Sequence, residues 1–189
     1  MRHYILILFF IILISSCNKK LDPIEYVNWF KNSKENLNEK KSAHYLYEIR
    51  YLSPEANLLM EFGQNNDSIN KYLIEEKNWS KFELKIFTID KKQDVLKYNN
   101  KQKSDYFEKM QYLITGINED ITATKKDGNI ISCSFHHFER SYNISPYLNL
   151  TFSFMENIEN LKEINIESKL DNSKITIQLN HPKLPKLNL

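Results

Sequence analysis

The densest run of side chains that could carry chemistry lies late in the chain, where His136, His137, Glu139 and Arg140 fill four of five consecutive positions. On a β-strand successive side chains point to opposite faces, so His137 and Glu139 would share one face and His136 and Arg140 the other. Imidazoles and carboxylates bind zinc and transfer protons. One hypothesis is therefore a metal-dependent or acid/base hydrolase that uses His136, His137 and Glu139.

A structural role is the alternative for the same segment, and it is the interpretation that we prefer. Two ligands do not make a zinc site, and the other histidines that could complete one, His44 and His181, do not lie at a diagnostic spacing such as His-Glu-x-x-His. Glu139 and Arg140 would then form hydrogen bonds at a strand end. No metal or cofactor is expected.

Other potential catalytic groups also have structural interpretations. The pair Glu75–Glu76 could do acid/base work, but it lies on a predicted helix beside Lys77, where a solvated helix face is expected. Ser134 lacks the Gly-x-Ser-x-Gly pattern of a nucleophile elbow. Cys133 alternates with apolar residues, which favours a buried and inert thiol.

Aromatic residues could instead form a ligand site. Tyr45, Tyr47 and Tyr51 with Trp79 could line a cleft between sheet and helices, although a core role is preferred. The chain has only 3 glycines, which excludes the glycine-rich loops that hold nucleotide phosphates.

The N-terminus predicts export and lipidation. Arg2 precedes an uncharged apolar run, Tyr4–Ile14, which is about half of the roughly 20 residues that a membrane-spanning helix needs. The run ends in Ile-Ser-Ser before Cys17, which resembles the lipobox of bacterial lipoproteins. The resemblance implies cleavage after residues 1–16 and lipidation of Cys17, and two or three acyl chains give stable membrane anchoring.

Processing would leave a short tether, residues 17–21, and a single globular domain, residues 22–189. Cleavage deletes one of the 26 Lys and Arg residues, Arg2, and none of the 24 Asp and Glu residues, so the mature chain is nearly neutral. Nucleic acid is therefore not an expected partner. Asn18 is not the Asp that favours inner-membrane retention in enteric bacteria, so we expect an outer-membrane location. Only Cys133 remains as a free thiol, which excludes an intramolecular disulfide.

Periodicity predicts an α+β fold in which helices, three to four and mostly from the N-terminal half, pack against an antiparallel sheet that ends in a C-terminal β-meander. The predicted helices are Pro23–Lys31 after the cap Asp22, Pro54–Phe62, Ile69–Lys77, and a segment that Ser104 caps and Gly116 ends. The predicted strands are Ala43–Leu52, Lys81–Ile89, Asp120–Thr124, Asn129–Phe138, Tyr147–Met155, Leu161–Ser168 and Lys174–Asn180.

Finer features of these elements are also predicted. The inward faces of the first and last helices should contain Ile24, Val27 and Phe30, and Phe107, Met110, Leu113 and Ile114, respectively. Lys126-Asp127-Gly128 should form a hairpin turn. The tail, which contains Pro182 and Pro185, should run extended along the surface.

The chain resembles a group of short lipoproteins of Bacteroidota with no established activity. The lipobox, the segments Pro23–Trp29 and His137–Tyr142, and Pro146 with Tyr147 carry the resemblance. The resemblance implies a location in the cell envelope and a fold, and it assigns no catalytic residue to this chain.

Three functional hypotheses remain open. The first is a membrane-anchored, non-catalytic envelope lipoprotein that binds or helps to assemble another envelope protein. The second is a lipoprotein that binds a small ligand in an aromatic pocket. The third is the hydrolase that uses His136, His137 and Glu139.

Overall fold

The computed structural model describes residues 20–140, 145–179 and 184–188. Its helices are α1 (Pro23–Asn32), α2 (Pro54–Phe62), α3 (Asn66–Glu76) and α4 (Lys103–Gln111). Its strands are β1 (Lys20–Leu21), β2 (Leu37–Lys41), β3 (Tyr45–Leu52), β4 (Ser80–Thr88), β5 (Ile121–Lys125), β6 (Ile130–Ser132), β7 (Phe135–Glu139), β8 (Tyr147–Phe154), β9 (Leu161–Ser168), β10 (Ser173–Gln178) and β11 (Lys186–Leu187). A π-helical turn, Tyr112–Gly116, and a 3₁₀ turn, Ile117–Asp120, link α4 to β5, and a second 3₁₀ turn is Ile158–Asn160. The signal sequence and Cys17 lie outside the described residues.

The predicted α+β class is confirmed. Apart from β1 and β11, the strands divide into a five-stranded antiparallel sheet, in the order β2-β3-β4-β8-β7, and a four-stranded antiparallel sheet, in the order β10-β9-β5-β6. Apolar side chains from one face of each sheet meet in one core, to which Tyr47, Phe82 and Phe152 contribute from the first sheet and Ile164 and Ile177 from the second. This packing places the edge strands β6 and β7 in different sheets.

A second, smaller core lies under the helices. Tyr26 and Phe30 of α1 pack there with residues of α2 and α3 and with Leu21. Arg50 connects α1 to the five-stranded sheet, since its Nη1 donates to Phe30 O at 2.6 Å and to Ser33 O at 2.9 Å. Helix ends leave carbonyl groups without intrahelical partners, so a guanidinium at this position stabilises the C-terminus of α1.

The local signals at α1 and α2 are confirmed. The Asp22 side chain accepts a hydrogen bond from Glu25 N at 2.8 Å, and Pro23 occupies the first turn. Ser53 caps α2 in the same way, by accepting from Ala56 N at 3.1 Å. The bounds of α2 are those that the sequence predicted.

Each of the two predicted helix faces is right in part. In α1, Phe30 is buried and Val27 packs against the smaller core, as predicted, but Ile24 is 61 % exposed and Tyr26 completes the buried stripe. In the last helix Met110 and Leu113 are buried, whereas Phe107 and Ile114 are exposed. The π-helical turn explains why Ile114 is exposed. The additional residue in each turn rotates its side chain away from the stripe that an α-helix would form.

The cap of α4 also differs from the prediction. The helix begins at Lys103, so Ser104 lies inside it, and Gln102 is the cap residue. Asp105 accepts from Lys101 N and Gln102 N at 2.6 and 3.3 Å, which fixes the start of the helix two residues before the carboxylate.

The single strand predicted for Asn129–Phe138 is two strands. β6 pairs with β5, whereas β7 pairs with β8 in the other sheet. The chain crosses between the sheets at Cys133 and Ser134, whose backbone N–H groups donate to Ile121 O and Ser153 O, respectively. The hairpin turn before β6 is confirmed, and Gly128 supplies its positive φ of 91°.

The two ends of the described chain pair with each other. β1 and β11 form a parallel pair in which Lys20 lies opposite Lys186 and Leu21 opposite Leu187. Leu21 is buried in the smaller core and Leu187 packs against it. Pro182 lies outside the described residues. No helix in the described part of the chain is long and apolar enough to cross a membrane.

Candidate functional site

The histidine pair lies on β7, the edge strand of the five-stranded sheet. Pairing with β8 places His136 opposite Phe152, which faces the core, and His137 opposite Thr151 on the other face. The two imidazoles therefore point away from each other, as the alternation of a strand requires. His136 Nε2 lies 2.9 Å from Ile114 O, and because a carbonyl only accepts, Nε2 carries the proton.

The remaining members of the predicted cluster do not join His136. His137, Glu139 and Arg140 are exposed, and Glu139 Oε2 accepts from Asn149 Nδ2 at 2.7 Å. Among the residues that the structure describes, no three His, Cys, Asp or Glu side chains are grouped to hold a metal ion. His44 packs against Tyr98, and His181 lies outside the described residues.

The other candidate nucleophile and base positions have local partners. Cys133 Sγ donates to Phe135 O at 3.1 Å, and burial raises the pKa of this thiol, which disfavours the nucleophilic thiolate. Cys133 is half-buried, and its raised pKa agrees with the predicted inert thiol. Ser134 Oγ accepts from Met155 N at 3.1 Å. Glu76 forms an ion pair with Lys81 at 2.7 Å.

The two sheets form a sandwich, which is closed on one side and open on the other. On the closed side β2 lies beside β10, and Ser42 Oγ donates to Asp171 Oδ2 across the junction. On the open side no strand of the described chain pairs with the outer edge of β6 or β7. An unpaired edge presents backbone N–H and C=O groups to another chain unless charges, prolines or bulges protect it. β2 has Lys40 and Lys41, whereas β7 has no lysine or proline and its only charged carboxylate, Glu139, lies at its last position.

Exposed apolar side chains lie along this open side. Phe135 at the start of β7 is 59 % exposed, and Met155, directly after β8, is 69 % exposed. The hydrogen bond between Ser134 and Met155 places the two residues close together. Ile130 on β6 is 69 % exposed, and Ile114 approaches β7 through its carbonyl contact with His136. We call Ile114, Ile130, Phe135 and Met155, with the outer edge of β7, the open edge.

The tyrosines have divided roles. Tyr45 and Tyr47 are core residues, and the Tyr47 hydroxyl lies 2.8 Å from Ser168 Oγ. Tyr51 instead lines a cleft of about 340 Å³ beside the start of α2, with Glu55, Lys77, Ile158, Glu159 and Leu184 among its walls. Burial, and then Glu55, raises the pKa of Tyr51, so its hydroxyl keeps its proton. Trp79 does not line this cleft, and the Leu184 wall has no signal in the sequence pattern.

No protein-family model and no curated protein matches the sequence. Two solved structures are similar to the chain. One is a DUF4426 family protein from Pseudomonas aeruginosa PAO1, with 12 % identity, coverage of 82 % of this chain and 99 % of that chain, and a TM-score of 0.34. The other is a protein of unknown function from Burkholderia pseudomallei K96243, with 8 % identity, coverage of 87 % and 92 %, and a TM-score of 0.36. These likenesses carry no argument about function.

Proposed function

We propose that this chain is a lipid-anchored protein of the bacterial envelope, in the outer membrane, that binds another envelope protein without catalysis. The anchor follows from the lipobox at Cys17, and the binding function from one structural observation, the open edge. It combines an unpaired strand with exposed Phe135 and Met155. Strand edges recognise extended peptides through backbone hydrogen bonds, and side-chain contacts then give specificity.

The contacts of the histidine segment support binding over hydrolysis. His136 and His137 lie on opposite faces of β7, and Glu139 is engaged by Asn149. Acid/base catalysis needs groups that converge within hydrogen-bond reach of one substrate atom. In this arrangement the His137 and Glu139 side chains would instead lie next to a peptide strand that pairs with the outer edge of β7.

The test places a photo-crosslinking phenylalanine analogue at Phe135 in the full chain in living cells. Lys92, an exposed residue in the loop after β4, is the matched control position. We expect one reproducible adduct from position 135, none from position 92, and loss of the adduct in the Cys17→Ala variant. Equal adducts from both positions, or none from position 135, would contradict binding at the open edge.

A charge substitution tests whether the partner binds at the open edge or only lies near it. Phe135→Asp puts a carboxylate on the exposed end of β7, and Lys92→Asp puts the same side chain at an exposed position elsewhere. With the crosslinker at Ile130, we expect the first variant to lose most of the adduct and the second to retain it. Circular dichroism of both variants checks that the fold is intact.

The cleft at Tyr51 supports a second candidate, the binding of a small ligand. Its volume is at the lower end of the range of small-molecule sites, and it combines an aromatic ring with polar groups. Native mass spectrometry of protein purified from cells should then show a small-molecule adduct. Ile158→Trp, which fills the cleft, should remove the adduct, and Ile74→Trp on the exposed face of α3 should not.

A further inference from the structure

The pair of β1 and β11 places two ammonium groups side by side. Lys20 lies directly opposite Lys186, and both are exposed, whereas Leu21 and Leu187 on the other face contact the smaller core. Neighbouring strands are about 4.8 Å apart, and like charges directly opposite each other are unfavourable. Within the described part of the chain, neither lysine forms an ion pair with a carboxylate. An anion between them would remove this repulsion.

The described residues around this pair are mixed in charge and partly apolar. Lys186 lines a cleft together with Glu55 of α2. The nearest acidic residues on α1 are Asp22 and Glu25, and Asp22 is engaged as the helix cap. Ile24, in the first turn of α1, is 61 % exposed although it follows buried Leu21 by only three residues.

The tether is too short to let this edge move away from the membrane. Cys17 precedes Lys20 by three residues, so the two Cα atoms are at most about 11 Å apart in an extended chain. The polar layer of a bilayer leaflet is roughly 5–8 Å thick. A lipid-modified Cys17 therefore holds Lys20 in or just above the headgroups, within about one Debye length of their charges.

We infer that the β1–β11 edge is the membrane-facing side of the domain, where Lys20 and Lys186 bind the phosphates of anionic lipids and Ile24 enters the headgroup layer. This inference rests on the lipid anchor of the proposed function. The occupant is a lipid surface because the anchor delivers the edge to one and because the exposed charges are complementary to it.

The experiment uses full-length lipidated protein in vesicles of phosphatidylethanolamine and phosphatidylglycerol. An environment-sensitive fluorophore is attached at Ile24→Cys in a Cys133→Ser background, and lipids that carry a quencher near the headgroup report contact. Lys92→Cys is the distant control. Its loop follows the end of β4, and the length of this strand, about 24 Å, separates that end from the helix layer, which is α1, α2 and α3. We expect strong quenching at position 24 and little at position 92.

Charge reversal tests the role of the lysines. Lys20→Glu with Lys186→Glu should reduce quenching at position 24 at least twofold. The matched control, Lys40→Glu with Lys41→Glu on edge strand β2, changes the net charge equally and should leave quenching unchanged. Vesicles of phosphatidylcholine alone should reproduce the effect of the first variant.

Flotation of the vesicles separates the two ways in which the idea can fail. If the protein does not float with the vesicles, the lipid anchor is wrong and the orientation fails with it. If the protein floats but positions 24 and 92 are quenched equally, the anchor stands and the orientation is overturned. If both lysine variants behave alike, binding of anionic lipid at Lys20 and Lys186 is overturned.

Discussion

At the scale of single residues, Asp171 is the main polar link between the two sheets on the closed side. Its carboxylate accepts from Ser42 Oγ before β3 and from Ser173 Oγ at the start of β10, at 2.6 Å for the latter. The Tyr47 hydroxyl lies 3.5 Å from it, and burial raises the pKa of this tyrosine to about 12. The link fixes the closed side, and among the described strands of the two sheets the outer edges of β6 and β7 remain without a neighbouring strand.

Asp171→Ala should therefore lower the free energy of unfolding by about 2–3 kcal/mol, because it leaves two hydroxyls without their charged acceptor. Urea denaturation measures the change. Asp67→Ala, at an exposed position in the first turn of α3, should cost clearly less, about 1 kcal/mol at most. Equal effects of the two substitutions would show that the link contributes nothing.

Glu156 predicts how stability responds to acid. Asn160, the Lys125 ion pair at 2.9 Å and the backbone N–H of Asn157 lower the pKa of this carboxyl from 4.5 to about 2. Because the folded-state pKa is the lower one, the ionised form stabilises the fold above about pH 4.5, and this contribution is lost as the pH falls towards 2.

Glu156→Gln should thus destabilise the protein at pH 7 and converge with the wild type near pH 2. The effect is small, about 1 kcal/mol or less, since the side chains of the ion pair are partly exposed. Chemical denaturation at several pH values measures it. A difference that stays constant from pH 7 to pH 2 would contradict the assignment.

At the scale of elements, Arg50 determines how α1 attaches to the sheet. It donates to two carbonyls at the C-terminus of α1 and to Asn36 Oδ1 at 2.9 Å, and its guanidinium lies 5.9 Å from the Phe30 ring centre. A strand residue thereby satisfies the end of a helix whose C-cap residue, Ser33, is not a glycine.

Arg50→Met keeps the aliphatic length but removes these donors, so α1 should become locally less stable than the sheet. Hydrogen exchange of the α1 amides should accelerate about 10-fold or more, which corresponds to about 1.4 kcal/mol. Lys31→Met removes only the interaction of a last-turn cation with the helix dipole, so it should accelerate exchange clearly less than Arg50→Met does. If hydrogen exchange in α1 is unchanged in the Arg50→Met variant, Arg50 does not hold this helix on the sheet.

Elements with local signals were predictable from the sequence. The caps of α1 and α2 and the turn at Gly128 depend on residues within four positions of each other. β2 was missed because an edge strand with the sequence Leu-Asn-Glu-Lys-Lys has no apolar alternation. The split between β6 and β7 was missed because alternation continues through Cys133 while the pairing partner changes, and pairing is a long-range property.

The candidate site shows the same limit. Alternation correctly separated His136 from His137, but the contact of His136 with Ile114 spans 22 residues and needed the fold. The open edge is defined by what does not pair with β7 among the described strands, which no local pattern encodes. Leu184 lines the Tyr51 cleft because the fold brings the C-terminal segment there, and no local pattern in the sequence predicts that contact.

At the scale of the whole molecule, the two cores are connected through one strand. β3 contributes Tyr47 and Ile49 to the sandwich and Leu52 to the helix layer, and Ser53 after it accepts or donates a hydrogen bond with the Tyr26 hydroxyl at 3.1 Å. The open edge belongs to the sandwich, whereas the β1–β11 edge belongs to the helix layer. A domain held at the membrane by its helix layer would present the sandwich to a partner.

This division predicts that the helix layer can open without the sandwich. Leu21→Ala removes a buried side chain that is 4 % exposed and joins β1 to the helices, and it should cost about 2–4 kcal/mol. Hydrogen exchange should accelerate in α1, α2 and α3 but remain slow in β4 and β8. Leu150→Ala, the same change in the sandwich core, should accelerate exchange in β4 and β8 instead. If Leu21→Ala accelerates exchange equally in both layers, the domain unfolds as one cooperative unit and the membrane-facing layer has no independent mobility.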